Sequence, residues 1–377
     1  MRRTIALFLL EASALKTLLL TPGPLTTADE TRAAMGRDWG SRDGDFIAMS
    51  ERVRARLAAI PGLAASHVAI PLQGSGTFAV EAAIQSLIPR DGKLLVLVNG
   101  AYGRRAVAIA KRLGRAVTSL DWAEDQPIEP ATVARALAQD PTITDVLAVH
   151  CETTSGLLNP LEEIAVTVEA AGRRLLVDAM SSFAAVPIDG TKIACSALMA
   201  SSNKGLEGAP GISFVIAERT HLATCAENAT STSLDLYAQW QGFEKNRQWR
   251  FTPPVQVVAA LDTALDLLEA EGGVVARHAR YSRNRDVLLD GMKALGFEPY
   301  LAPAIQAPVI VTFKPPEAAW YDFECFYAAL HRQGIVIYPG KLTQADSFRI
   351  GCIGAIDETD IRHALDVITD HVLAARG

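Results

Sequence analysis

Between residues 67 and 217 the chain alternates short apolar runs with stretches of helical character, and that rhythm leaves few folds open. Residues 67–72, 93–98, 144–150, 174–177, 197–200 and 211–217 read as strands, because each is apolar and bounded by glycine, proline or small polar residues. Residues 78–88, 104–113, 132–139 and 161–171 read as helices, the first stopped by Pro89 and the last by Gly172. Strands that alternate with helices in this way form a mostly parallel sheet covered by helices on both faces. In such sheets ligands bind beyond the carboxyl ends of the strands.

Those ends carry the polar chemistry. The strand at 67–72 runs into Gln73-Gly74-Ser75-Gly76-Thr77 and then a helix. Glycines let backbone approach a ligand, and the free N–H groups of a helix start favour an anion. A dinucleotide fingerprint would need a third glycine where Ala79 stands. A tight strand–helix turn would use the same residues. The next strands deliver Tyr102, Thr153 and Asp178, and the strand at 197–200 breaks into Ser201-Ser202-Asn203-Lys204-Gly205. Each has a plainer reading: a half-buried tyrosine, a turn threonine, an Asx turn and a loop lysine. Their convergence on one rim favours chemistry. A partly desolvated lysine has a lowered pKa and can attack a carbonyl.

Elsewhere, residues 45–60 read as a helix ended by Pro61-Gly62, and Thr21-Pro-Gly-Pro24 as an extended turn. After Gly272-Gly273 comes a helix at 280–295. A compact α/β unit then follows, with strands near 309–313, 336–338 and 347–351 and helices at 323–333 and 357–374. The expected division is a large domain at 31–270 and a smaller one at 271–377. Residues 18–30 form a segment reaching the active site, and 1–17 an N-terminal extension expected to be disordered. Arg2-Arg3 and the apolar stretch to Leu10 resemble a short secretory signal, which Glu11 interrupts. A net charge of −6 without basic clusters argues against nucleic acid as partner. No apolar run reaches membrane-spanning length. Five cysteines without paired spacing fit reduced thiols in a cytoplasmic protein.

A phosphate cup, an aromatic ring, a buried carboxylate and a reactive lysine together describe a site for pyridoxal phosphate. Gly74, Ser75, Gly76 and Thr77 would hold the phosphate, Tyr102 would stack on the ring, and Thr153 would bond near its phenolic oxygen. Asp178 would pair with the ring nitrogen. Lys204 would be both nucleophile and proton carrier. No metal is expected.

The stretches LLLTPGPLTT (18–27), LQGSGTFAVEA (72–82), VNGAYGRR (98–105), HCETTSGLLNP (150–160), VDAMSSF (177–183) and SSNKGLEGAPG (201–211) resemble the class V aminotransferases of fold type I. SLDLYAQW (233–240), WRFTPP (249–254), VIYPGK (336–341) and FRIGCIG (348–354) extend the likeness. Several of these narrow it to the branch acting on 2-aminoethylphosphonate and pyruvate. The resemblance implies a seven-stranded, mostly parallel sheet in the large domain and a homodimer. It implies that Asn203 neighbours the cofactor and that Thr252 reaches the partner subunit's cofactor phosphate. Arg349 would bind the substrate anion, and Pro22 and Gly23 would line the substrate entrance. An arginine between apolar residues on a strand suits an anion, although an edge-strand arginine facing water reads the same way. Sister transaminases for alanine–glyoxylate or serine–pyruvate share the rim. A cysteine desulfurase would need a mobile loop cysteine and a histidine where Asn203 stands.

Overall fold

A computed structural model describes residues 17–342 and 346–377. The expectation for residues 1–17 therefore lies, apart from Thr17, outside the described residues. The large sheet has strands β1 (His67–Gln73), β2 (Lys93–Val98), β3 (Ala116–Asp121), β4 (Ile143–Val149), β5 (Arg174–Asp178), β6 (Ala197–Ser201) and β7 (Ile212–Glu218). Their spatial order is β1-β7-β6-β5-β4-β2-β3, a seven-stranded sheet in which β7 alone runs against the others.

The near-continuous apolar character of the central strands has a direct cause: both faces are covered. Along β2, Leu95 and Leu97 enter one core while Leu94, Val96 and Val98 enter the other. β4 and β5 divide in the same way, with Val146, Ala148, Leu175 and Val177 on the first face and Leu147, Val149 and Leu176 on the second. Helices α1 (Gly44–Ala59), α2 (Gly76–Leu87), α3 (Ala101–Arg112), α4 (Pro130–Gln139), α5 (Leu161–Ala170), α6 (Leu236–Asn246) and α7 (Val255–Glu271) cover the sheet. β3 had no counterpart in the sequence expectation. It is an edge strand whose residues are all partly or fully exposed, so it lacks the apolar run that marks the others.

Helix α8 (Gly273–Ala294) begins seven residues earlier than expected. Gly272, at φ 105°, ends α7 and turns the chain directly into α8. The first turns of α8 carry arginines in place of an apolar stripe, because Arg277 is buried against acids instead of hydrocarbon. A second, antiparallel sheet follows, ordered β8 (Glu298–Pro299), β9 (Ile310–Lys314), β11 (Phe348–Gly351) and β10 (Tyr338–Pro339). Helices α9 (Phe323–Arg332) and α10 (Glu358–Arg376) pack on it. Leu18–Leu19 pairs in parallel with Ile335–Val336, which delivers the Thr21–Pro24 loop to the rim of the large sheet.

One buried ionic network joins α8 to the loop that follows β6. Glu207 accepts from Arg280 at 2.8 Å, from the Tyr281 hydroxyl, and lies 3.7 Å from Arg277. Arg277 also pairs with Glu271 at 2.8 Å and donates to the Gly205 carbonyl at 3.0 Å. The Glu207 N–H returns to the Lys204 carbonyl at 2.8 Å, so the network holds the turn that carries Lys204. Removing one partner of a buried ion pair leaves the other uncompensated, which costs about 3 kcal/mol. Glu207→Gln is therefore expected to lose about that much stability in urea titrations. A loss below about 1 kcal/mol would show that Glu271 alone balances both arginines.

Candidate active site

The carboxyl ends of β1, β5 and β6 and the start of β7 surround a cavity of about 420 Å³. Its lining includes Gly23, Gly74, Ser75, Gly76, Thr77, Tyr102, Asp178, Asn203 and Lys204. The structure thus brings together most of the residues singled out from the sequence.

The anion cup forms where β1 gives way to α2. Ser75 is the N-cap residue, and its hydroxyl makes no capping bond, which leaves it to face the cavity. The helix start presents its unpaired N–H groups in the same direction. At Gly76 a Cβ would lie 2.3 Å from the Met180 sulfur, so the Met180 side chain packs directly against the start of α2. Arg105, one helical turn beyond Tyr102 on α3, reaches 3.4 Å from the Thr77 hydroxyl.

Asp178 ends β5 and is buried, with one carboxylate oxygen accepting the Met180 N–H at 3.0 Å. Burial, reinforced by the nearby Glu152, pushes its pKa up to about 6. Lys204 projects from the turn after β6, and its Nζ donates to the Pro22 carbonyl at 2.5 Å. Desolvation, with the positive charges of Arg349 and Lys341, lowers its pKa to about 8. Gly23 passes directly over this amine. Its φ is 120°, and a Cβ would meet Lys204 Nζ at 2.9 Å, so only glycine fits.

Arg349 comes from the second sheet. Phe348 and Ile350 point into an aromatic core, where Phe348 stands 5.5 Å from Phe313 and 5.4 Å from Phe326 between ring centroids. Strand alternation sends Arg349 the other way. There its guanidinium, buried and without an acidic partner among the described residues, donates to the Thr153 carbonyl at 3.0 Å and the Pro339 carbonyl at 3.2 Å. Burial lowers its pKa.

Three expectations sit differently. Thr153 is buried outside the cavity lining, and its carbonyl serves Arg349. Pro22 acts through its carbonyl oxygen, while Gly23 and Pro24 form the wall. Thr252 is exposed and away from the cavity; its expected role needs a second copy of the chain. Sequence reasoning missed Glu152, Arg105, Met180 and Lys341. Glu152 is fully buried and accepts the backbone N–H of Tyr102 at 3.2 Å and of Thr154 at 3.1 Å, which anchors the start of α3. Its burial raises its pKa. Glu152 and Arg105 lay within the same motifs as Thr153 and Tyr102, the one signal that could have found them.

The cavity's volume, its anion cup, its buried carboxylate and its depressed lysine fit pyridoxal phosphate. A mostly parallel seven-stranded sheet presenting this set on its carboxyl rim defines a fold type I pyridoxal-phosphate enzyme. The family described as "Aminotransferase class-V" matches residues 27–350, and the chain belongs to it. It is 54% identical over 96% of both chains to 2-aminoethylphosphonate–pyruvate transaminase 2 of Burkholderia lata. It is 52% identical to the 2-aminoethylphosphonate–pyruvate transaminase of Pseudomonas putida, over 94% of this chain and 96% of the relative. Among solved structures, pyridoxamine–pyruvate aminotransferase of Mesorhizobium loti superposes with a TM-score of 0.88 at 28% identity, covering 97% of this chain and 94% of that one. Alanine–glyoxylate aminotransferase of Nostoc has the same TM-score at 23% identity over 96% of each chain, a likeness of fold.

Proposed function

We propose that this aminotransferase moves the amino group of 2-aminoethylphosphonate to pyruvate, releasing phosphonoacetaldehyde and L-alanine, in phosphonate catabolism. The observation that carries the reading is a buried guanidinium, Arg349, held on the Thr153 carbonyl and near enough to the lysine for its charge to lower the amine's pKa. The names of relatives 52% and 54% identical to this chain support the substrate pair.

Pyridoxal phosphate, when bound, supplies an electrophilic carbonyl and an electron-withdrawing ring. The N–H groups and hydroxyls of Gly74, Ser75, Gly76 and Thr77 would bind its phosphate. Tyr102 would pack on its ring, with Asn203 beside the lysine in the same lining. The Asp178 carboxylate would keep a proton on the ring nitrogen. Lys204 Nζ, uncharged more readily than an exposed lysine, would hold the cofactor's carbonyl carbon and give way to the donor amine. It then takes the proton leaving the donor's amino-bearing carbon. Arg349 holds the substrate anion, and the Pro22–Gly23 loop limits how far substrate can shift over the amine.

The protein is read as a cytoplasmic homodimer. Phe251, 49% exposed beside Thr252, supports a contact surface there, and five free cysteines support a reducing compartment. No helix among the described residues is long and apolar enough to cross a membrane.

Donor profiling tests the assignment. With pyruvate as acceptor, 2-aminoethylphosphonate should give kcat/KM at least about 100-fold above serine, because discrimination that depends on a bound anion exceeds that from shape alone. Comparable rates with serine, or a preference for glyoxylate with alanine, would move the function to a sister transaminase.

A further inference from the structure

Three cations have no acid paired to them among the described residues: Arg105 of the cavity lining, Lys341 against Tyr102, and Arg349 against the Thr153 carbonyl. Arg105 is exposed and stands by Thr77 at the start of α2, where the cofactor phosphate belongs. The other two lie on the side of Tyr102 and Lys204. Lys341 is partly buried, with its Nζ 4.6 Å from the centre of the Tyr102 ring and 3.5 Å from its hydroxyl. It follows β10 by two residues, and Tyr338 of β10 pairs in register with Arg349 of β11. One pair of hydrogen-bonded strands thus carries both cations to the same place. Both also act on the Lys204 amine, which puts them within electrostatic reach of the reacting group.

Cations withdrawn from water without counter-charge are costly, and a ligand anion offsets that cost. The substrates differ in this respect. Carboxylates of pyruvate and alanine carry one negative charge, which a single arginine matches in a forked, planar geometry. A phosphonate is tetrahedral and carries up to two. A flexible ammonium beside the guanidinium suits its third oxygen and its second charge.

We propose that Lys341 is a specificity-determining residue that, together with Arg349, forms a two-cation seat for the phosphonate of the amino donor. The carboxylate of pyruvate or alanine rests on Arg349. This inference depends on the phosphonate reading of function above.

The two half-reactions separate its consequences. Holoenzyme is mixed with 2-aminoethylphosphonate alone or with L-alanine alone, and the absorbance change of the bound cofactor is followed against donor concentration. Lys341→Gln should raise the half-saturating concentration for 2-aminoethylphosphonate about tenfold more than that for alanine, the size expected for one close charge pair. Lys341→Arg should restore most of that ratio. Calorimetric titration of ethylphosphonate and propionate, which carry the anions without the amine, should show the same ratio without any reaction. Equal losses for both donors, or none, in a variant of a wild type that responds to 2-aminoethylphosphonate would overturn the role of Lys341 alone. A wild type that ignores 2-aminoethylphosphonate would overturn the substrate reading, and this proposal with it.

Discussion

Lys204→Ala is expected to lower turnover of 2-aminoethylphosphonate with pyruvate by roughly 10,000-fold or more, since the variant loses both a nucleophile and a proton carrier. The fold should survive. The lysine's side chain makes one hydrogen bond, to Pro22, and the turn is held by the Glu207 backbone and the α8 arginines. Purified variant should bind pyridoxal phosphate reversibly and without the visible band of a lysine-linked cofactor. Appreciable turnover would contradict the assignment. The wild-type amine also carries a pH signature. Its pKa is lowered from 10.5 to about 8, so at neutral pH most of it is protonated and the reactive free amine grows as pH rises through about 8. The rate at which apoprotein captures pyridoxal phosphate should follow that rise and level off above it. A midpoint near 10.5 would mean a solvated lysine.

Asp178→Asn should cost roughly 100- to 1,000-fold in turnover, the range found when a preorganised charge partner is removed. The change is nearly isosteric, and the Met180 N–H still finds the amide oxygen, so stability should change little. What disappears is the negative charge facing the ring nitrogen. In the cofactor-free protein the Asp178 pKa is raised from 3.8 to about 6, chiefly by burial. A cationic ring nitrogen opposite would favour the ionised form, so binding of the cofactor should release protons between about pH 4 and 6. Calorimetry in buffers of different ionisation enthalpy reads that release. Asp178→Asn should abolish it and weaken cofactor binding. A variant with unaltered turnover would show that the carboxylate serves only as the turn after β5.

The rim was legible from sequence because its strands are buried on both faces. Double burial makes continuous apolar runs, and the polar residues just beyond each run then stand out. Ser75, Asp178 and Lys204 were found in that way, and all three line one cavity. β3 was missed for the complementary reason, since an edge strand that is half in water has no apolar run. The start of α8 was hidden because Arg277 is buried on ion pairs, with Glu207 70 residues away and Glu271 at the end of α7, instead of on an apolar stripe. Lys341 and Arg105 reach the site by side-chain length, from elements whose placement depends on the whole fold. Arg349 could be suspected from its apolar neighbours, yet only strand alternation against the Phe348 core shows which way it points. For Thr153 the reverse holds: the residue type suggested a hydroxyl role, and the carbonyl is what the arginine uses.

The measurement that reaches the central claim most directly is the visible absorption spectrum of the purified holoenzyme. It is recorded alone, then with 2-aminoethylphosphonate and no keto acid, then after pyruvate is added. The account predicts a yellow band that collapses with the donor and returns with pyruvate, one cycle per round of addition. A band that ignores 2-aminoethylphosphonate but collapses with alanine or serine would keep the aminotransferase and move the substrate. No band at all after loading with pyridoxal phosphate would contradict the role of Lys204.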